Sequence, residues 1–387
     1  MDRRSFLLGT IGLSVALGGC SNPNQPTLRV RLLKNSIPAQ LTNAFRNQLT
    51  EFKGANLDFK PEEQLESLFT ALQTWKQPNA PKSQAFEIPF FNRSADVVAD
   101  LVTIGDYWLA IAIRQGLILP LDTRDWQQWN QLPDKWRSLV TRSPQGTLSK
   151  TGQVWAAPYR WGSTIIAYRT DIFRDRNLKP PKDWSDLWRE ELRGRISLLD
   201  QPRETIGLTL KKLGQSYNTA DLSQVANLES ELNLLDRQAK FYSSDSYLQP
   251  LILDDTWVAV GYSTDVLSLM RRNRDVAAVF PASGTALSTD LWVRPATAAA
   301  PSALMAQWIN FCWKPEIAPQ LSLISQAASP ILSTIDAKTF SESLRSNSIL
   351  VPDADLLLNK SEFLAPIAAT TIEQYRSLWA KIRKTTV

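Results

Sequence analysis

Histidine is missing from all 387 residues. Its absence excludes Ser-His-Asp and Cys-His nucleophilic catalysis, imidazole general bases and every His-ligated metal site. Cysteine is almost absent too, with only Cys20 and Cys312. Two thiols cannot make a zinc site by themselves, and no disulfide framework is available if Cys20 has another fate. Runs of basic charge are also lacking. The 43 Lys and Arg and 38 Asp and Glu leave a net charge of +5, spread along the chain rather than gathered into a nucleic-acid arm. Internal repeats and low-complexity tracts are missing as well. No cofactor, no metal and no nucleic-acid partner are expected.

What remains is a composition of 43% hydrophobic and 21% charged residues, ordinary for a soluble globular protein. The length suggests about two domains. Arg3 and Arg4 precede an apolar run from Phe6 to Leu17, which is shorter than the roughly 20 residues a spanning helix needs. Asp2-Arg3-Arg4-Ser5-Phe6-Leu7-Leu8 looks like a twin-arginine export signal. Leu17-Gly18-Gly19-Cys20 resembles the bacterial lipoprotein cleavage motif. Residues 1–19 are therefore expected to be a signal peptide, with Cys20 lipid-modified and 20–25 a flexible linker. The competing reading is a plain signal peptide with an incidental cysteine.

The stretch Val154–Phe173 organises the rest. Trp155, Pro158, Tyr159 and Trp161 lead through Gly162 into a β-prone run, stiffened by the fixed φ of Pro158. By itself it reads either as a core strand with structural aromatics or as a crossing between two lobes, with Tyr159 and Trp161 lining the space between them. Before it, Thr27–Leu33 alternates as a strand, and helical spacing marks about 39–52 and the face Leu65, Leu68, Phe69, Leu72 and Trp75. Residues 77–94, with three prolines, read as an excursion loop. The apolar run 96–103 reads as a strand covered on both faces, entering a helix through Gly105 and Asp106. Trp126, Trp129 and Trp136 are expected as satellite packing under a loop.

Downstream, a strand at 195–199 enters a helix from Asp200-Gln-Pro-Arg-Glu204 that Gly214 closes. A long helix is expected over 222–239, a strand over 257–262, and short strands flanking a loop at 281–290. The last helix is expected over 361–384. The order is α/β. Cys312, between Phe311 and Trp313, is expected as a buried apolar residue.

Trp155-Ala-Ala-Pro158-Tyr159-Arg-Trp161-Gly162, Asp183-Trp184-Ser-Asp-Leu-Trp188, Gly194-Arg195-Ile-Ser-Leu-Leu, Asp200-Gln-Pro-Arg203-Glu204 with Leu213-Gly214, and Phe280-Pro281…Gly284…Asp290 occur in one register. Together they resemble the extracellular solute-binding proteins of ABC importers, in the spermidine/putrescine-binding group. The resemblance implies a two-lobed α/β fold of the periplasmic-binding-protein type II class, with two crossover strands and a ligand cleft. The crossovers would fall near Pro158–Gly162 and Ser288–Trp292. Lobe one would be 26–158 plus 290–328, and lobe two 159–289 plus 329–387.

By the same resemblance the ligand-binding candidates are Asp106, Tyr107, Glu204, Tyr262 and Asp290. Several of the family's aromatic walls are replaced, by Leu33, Ser36, Ser288 and Ala327 among others, and Tyr159, Trp161, Trp108 and Trp292 are candidate substitutes. Carboxylates suit ammonium groups and aromatic faces suit methylene chains. Glu204 also has a purely local reason to sit where it does, since acids offset the positive end of a helix. The implied function is a lipid-anchored receptor on the outer face of the cytoplasmic membrane, in the periplasm, passing a polyamine-like or other small polar solute to an ABC permease and its ATPase. No enzymatic activity is expected. The alternatives are a lipoprotein with a degenerate cleft acting in assembly, and a hydrolase using a carboxylate pair.

Overall fold

The computed structural model describes residues 25–77 and 97–383. The signal peptide, Cys20, the linker up to Asn24 and all but the first residue of the 77–94 loop lie outside the described residues. Nine strands carry the architecture: β1 (Thr27–Leu33), β2 (Asn56–Glu62), β3 (Leu101–Gly105), β4 (Ala157–Arg169), β5 (Ile196–Leu198), β6 (Ala239–Tyr242), β7 (Val258–Tyr262), β8 (Val276–Val279) and β9 (Ala286–Pro295). Among the described residues they form one hydrogen-bonded series in the order β2-β1-β3-β9-β4-β7-β5-β6, with β8 added on β4.

Two long strands, β4 and β9, join the two ends of this series. The end of β9 pairs antiparallel with β3, from Asp290↔Gly105 to Val293↔Val102. The second half of β4 pairs with β7, from Thr164↔Tyr262 to Tyr168↔Val258. Between these halves β4 and β9 pair with each other, from Ala157↔Trp292 to Ser163↔Leu287. β4 therefore pairs with β9 through its first half and with β7 and β8 through its second, while β9 runs past β4 to β3. The ladder slips between Asp290 and Leu291, whose partners are Arg160 and Pro158, so Tyr159 is the extra residue of a β-bulge.

Both lobes bury their sheets under helices. In lobe one, Val30, Phe45, Trp292, Trp308 and Trp313 share a core, and Phe45 and Trp308 meet edge to face with ring centroids 5.0 Å apart. In lobe two, Ile166, Trp184, Leu198, Tyr217, Val258 and Val260 share another. Fully burying one such large apolar side chain contributes roughly 1.5–3 kcal/mol.

Several expected elements differ. The strand expected at 96–103 is Leu101–Gly105, because pairing with β1 begins only at Val30↔Leu101. The helix expected over 222–239 is broken: a 3₁₀ turn, Leu222–Gln224, precedes the helix Leu228–Gln238, and Asn227 between them has φ +63°, which no right-handed helix contains. The final helix is Ala369–Arg383 rather than one starting at Ser361. Glu362 and Phe363 instead form a short parallel strand on Ala286 and Leu287, where the sheet edge satisfies their backbone groups. The second half of the loop expected at 281–290 is strand, so Asp290 sits inside β9. Trp126 and Trp136 belong to the main core rather than a satellite; Trp126 meets Trp313 edge to face at 5.3 Å. Cys312 is a buried free thiol, as expected. Among the described residues no helix is long and apolar enough to cross a membrane.

Candidate functional site

The seam where β4 and β9 cross carries a set of buried polar groups from both lobes. On the lobe-one side β3 ends at Gly105 and the chain enters the helix Asp106–Arg114. A Cβ on Gly105 would lie 2.5 Å from the Tyr107 ring, so the missing side chain lets that ring fold back over the backbone. Tyr107 remains 53% exposed and leans on Trp108 at 4.5 Å. Its phenol is pushed up by burial and then by the nearby carboxylates Asp290 and Asp106.

Asp106 turns inward. Its Oδ1 accepts the Thr289 N–H at 3.0 Å, fastening the helix to β9. Burial pushes its carboxyl up to about 7, against the opposing pull of the Thr289 amide, its own amide and Arg142.

Arg160 and Asp290 face each other across the β4–β9 ladder. Arg160 Nε donates to Asp290 Oδ2 at 2.6 Å, and the two side chains are only 8% and 14% exposed. Burial opposes the guanidinium's charge, but Asp290 and the Tyr159 hydroxyl outweigh it and hold the pKa above its usual value. Thr289 Oγ1 donates to the Arg160 carbonyl at 2.7 Å, locking the backbone beneath the pair.

On the lobe-two side Pro202 opens the helix Pro202–Lys212, with Glu204 in its first turn. An acid there is favoured by the helix dipole. Here it is also buried, and Thr164 Oγ1 on β4 donates to Glu204 Oε2 at 2.8 Å. Burial pushes the Glu204 carboxyl up to about 7, with Thr164 and Arg203 opposing. Tyr262, at the end of β7, meets Tyr247 edge to face at 6.0 Å; its N–H donates to the Tyr247 hydroxyl at 3.2 Å. Burial raises the Tyr262 phenol, and so do Glu204 from its own lobe and Tyr107 from the other. Tyr262 is therefore within electrostatic reach of both sides of the seam.

Tyr107 thus feels the charges of Asp290 and Asp106, and Tyr262 those of Glu204 and the Tyr107 phenol. The rings of Tyr159 and Trp161 lie in the buried core instead. Tyr159 is fully buried and Trp161 is 3% exposed. Tyr159 stacks on Trp292 at 4.1 Å and 15°, with its hydroxyl 3.2 Å from Thr103 Oγ1. Trp161 lies beside Trp136 at 5.9 Å and exchanges two backbone hydrogen bonds with Ala328, at 2.7 and 2.9 Å. Both rings pack in the buried core, while the Tyr159 hydroxyl reaches far enough to act on the Arg160 guanidinium. Against the reading of these rings as substitute walls, neither offers a face to solvent in this structure. Asp290, read as a carboxylate awaiting a ligand, already has a cationic partner.

Two residues of the seam were not singled out from the sequence, Arg160 and Thr164. Arg160 did leave a signal, since it is the one charged residue between Trp155 and Tyr168. Thr164 left none, because a β-branched hydroxyl in a strand is ordinary. A surface hollow lined by Arg124, Asp125, Gln127 and Asn310, with Ala303, Ala306 and Gln307, shares none of the seam's residues.

Comparison with known proteins places the chain in context. The family model of bacterial extracellular solute-binding proteins matches residues 96–360. The spermidine/putrescine-binding periplasmic protein of Escherichia coli is 23% identical over 313 residues, 81% of this chain and 80% of that protein. A putrescine/cadaverine-binding protein of Pseudomonas aeruginosa is 31% identical over 120 residues, 30% of this chain and 33% of that protein. Among solved structures, the spermidine/putrescine ABC transporter substrate-binding protein of Streptococcus pneumoniae superposes with a TM-score of 0.76 at 20% identity, covering 93% of this chain and 99% of that one. A lipoprotein of Treponema pallidum superposes with a TM-score of 0.64 at 17% identity, covering 92% and 99%. At these identities the structural likenesses establish the two-lobed fold.

Proposed function

Because the chain belongs to the bacterial extracellular solute-binding proteins, we propose that it is the receptor of an ABC importer for a polyamine-like or other small cationic solute, held between the lobes. The lobes divide near Pro158 and Asp290, at the strand crossings, and closure about these two strands would enclose the ligand. The observation that supports the reading is that Tyr107 feels Asp290 and Asp106, and Tyr262 feels Glu204 and Tyr107, so carboxylates and phenols from both sides act on one another. Glu204 is the ammonium's partner in this reading, since Thr164, its side-chain hydrogen-bond donor, is neutral. Tyr107 and Tyr262, one from each lobe, supply ring faces for the methylene chain, where a cation–aromatic contact contributes about 0.5–2 kcal/mol. The names of the relatives, which bind spermidine, putrescine or cadaverine, support the same solute class. The test is a melting curve of the mature protein against spermidine, putrescine and a panel of monoamines. At tenfold excess over Kd a bound amine stabilises by about 1.4 kcal/mol; a shift with sugars or anions and with none of the amines refutes the cationic assignment.

The same reading includes a lipid anchor at Cys20, on the periplasmic face of the cytoplasmic membrane, after export directed by Arg3 and Arg4. It is supported by the Leu17-Gly18-Gly19-Cys20 motif and by the lipoprotein of Treponema pallidum that shares the fold. Several acyl chains, at about 0.8 kcal/mol per buried CH₂, hold a protein firmly on a bilayer. Cys20→Ser is expected to move the protein from the membrane pellet to the soluble fraction; equal pelleting of both forms would remove the anchor from the proposal.

A further inference from the structure

In this seam Asp290 is not waiting for a ligand. Its Oδ2 accepts from Arg160 Nε at 2.6 Å, and the side chains retain 8% and 14% exposure. The pairing is built into the backbone, because residues 160 and 290 are directly opposite in the β4–β9 ladder and Thr289 ties the Arg160 carbonyl from the next position. An arginine held this way is present at its carboxylate at all times and costs no association entropy, so it competes well with any free cation. The second observation is the inventory of what is left. Asp106 is committed to the Thr289 amide, and Glu204 is met on its side chain by the neutral Thr164 hydroxyl.

We propose that Arg160 is a specificity-determining residue: its guanidinium occupies on Asp290 the place of a second ligand ammonium, so the cleft favours amines with one positive end over diamines. This rests on the amine-binding reading above. A monoamine places its ammonium at Glu204 and its tail along Tyr107 and Tyr262, leaving the Arg160–Asp290 pair intact. A diamine that reaches across the seam brings its second ammonium up to Arg160. It must then either displace the guanidinium from Asp290 or sit beside a like charge in a poorly solvated place, and either outcome is a repulsive selection against it.

The experiment is calorimetric titration of the mature protein with putrescine and with n-butylamine, which has the same carbon chain and a single charge. Wild type is compared with Arg160→Met and Arg160→Gln, the second keeping a hydrogen-bond donor for Asp290 should the first fail to fold. Melting curves establish that each variant is folded. The expected result is a gain of roughly tenfold or more in putrescine affinity in the folded variant, from the freed charge pair, without a comparable gain for n-butylamine. Adding Asp290→Asn to the same variant is expected to abolish the putrescine gain. If putrescine binds the charge-removed variants no better than wild type while both amines bind, the counter-ion assignment is wrong and the amine-binding reading stands. If neither amine binds any of the proteins, the amine-binding reading fails and this inference falls with it.

Discussion

Tyr159→Ala is expected to lower the unfolding free energy by about 3–5 kcal/mol, the range for removing a large buried aromatic side chain. Three losses combine at that position. The ring is fully buried, so its apolar surface returns to no solvent and leaves a cavity. Its stack on Trp292 at 4.1 Å is lost, a geometry that contributes about 0.5–1.5 kcal/mol beyond burial. The buried hydroxyl of Thr103, which lies 3.2 Å from the tyrosine hydroxyl, loses its neighbour. The bulge concentrates the effect, since Tyr159 is the residue that the β4–β9 ladder leaves unmatched. Tyr159→Phe keeps the stack and is expected to cost about 1 kcal/mol, the worth of a typical hydrogen bond. Thermal melts of the three proteins decide it. A Tyr159→Ala protein that melts like wild type but no longer responds to amines would restore the reading of this ring as a wall of the site.

Amine affinity is expected to fall about a hundredfold between pH 8 and pH 5, with Glu204 responsible. Burial raises its carboxyl to about 7 in the folded protein, from an ordinary value of 4.5. A raised acid favours its neutral form in the folded state. The stability it contributes is therefore fully present below pH 4.5 and is lost as the pH rises through about 7. Ligand binding runs the other way. An ammonium group is held by the ionised carboxylate, so below pH 7 the ligand must displace a proton, at a cost of about tenfold in affinity per pH unit. Two units below 7 give the hundredfold. Amine ligands remain fully protonated over this range, since their own pKa lies near that of lysine, about 10.4. Titrations at pH 5, 6, 7 and 8 measure the slope, and Glu204→Gln is expected to bind weakly and without it. An affinity that is flat with pH in wild type would remove Glu204 as the ammonium's partner. A slope that persists in Glu204→Gln would transfer the role to Asp106, which burial also raises to about 7.

Much of the architecture was legible because local pattern and tertiary demand coincide. Thr27–Leu33 alternates and is a strand, and Leu65 to Trp75 has one apolar face and is a helix. Where they diverged, the competing partner was distant in the chain. Glu362 and Phe363 have adequate helical character, yet they pair with Ala286 and Leu287. The 281–290 stretch carries turn residues at its start, which hid the fact that its second half belongs to β9.

The sequence by itself determined the α/β class and the absence of histidine chemistry, and it offered motifs like those of export and lipoprotein signals and the candidate residues Tyr107, Glu204, Tyr262 and Asp290. Only the tertiary structure decided which way β4 faces and what Asp290 meets. A strand buried on both sides has no polar–apolar alternation to reveal its inner face. Turning Tyr159 and Trp161 inward and Arg160 toward the seam depends on the β9 register and on one bulge, and a single residue of slip would reverse it. The ion pair that results joins residues 130 positions apart. Local spacing carries no information about such a pair, because its energy exists only once both strands are out of water and in register.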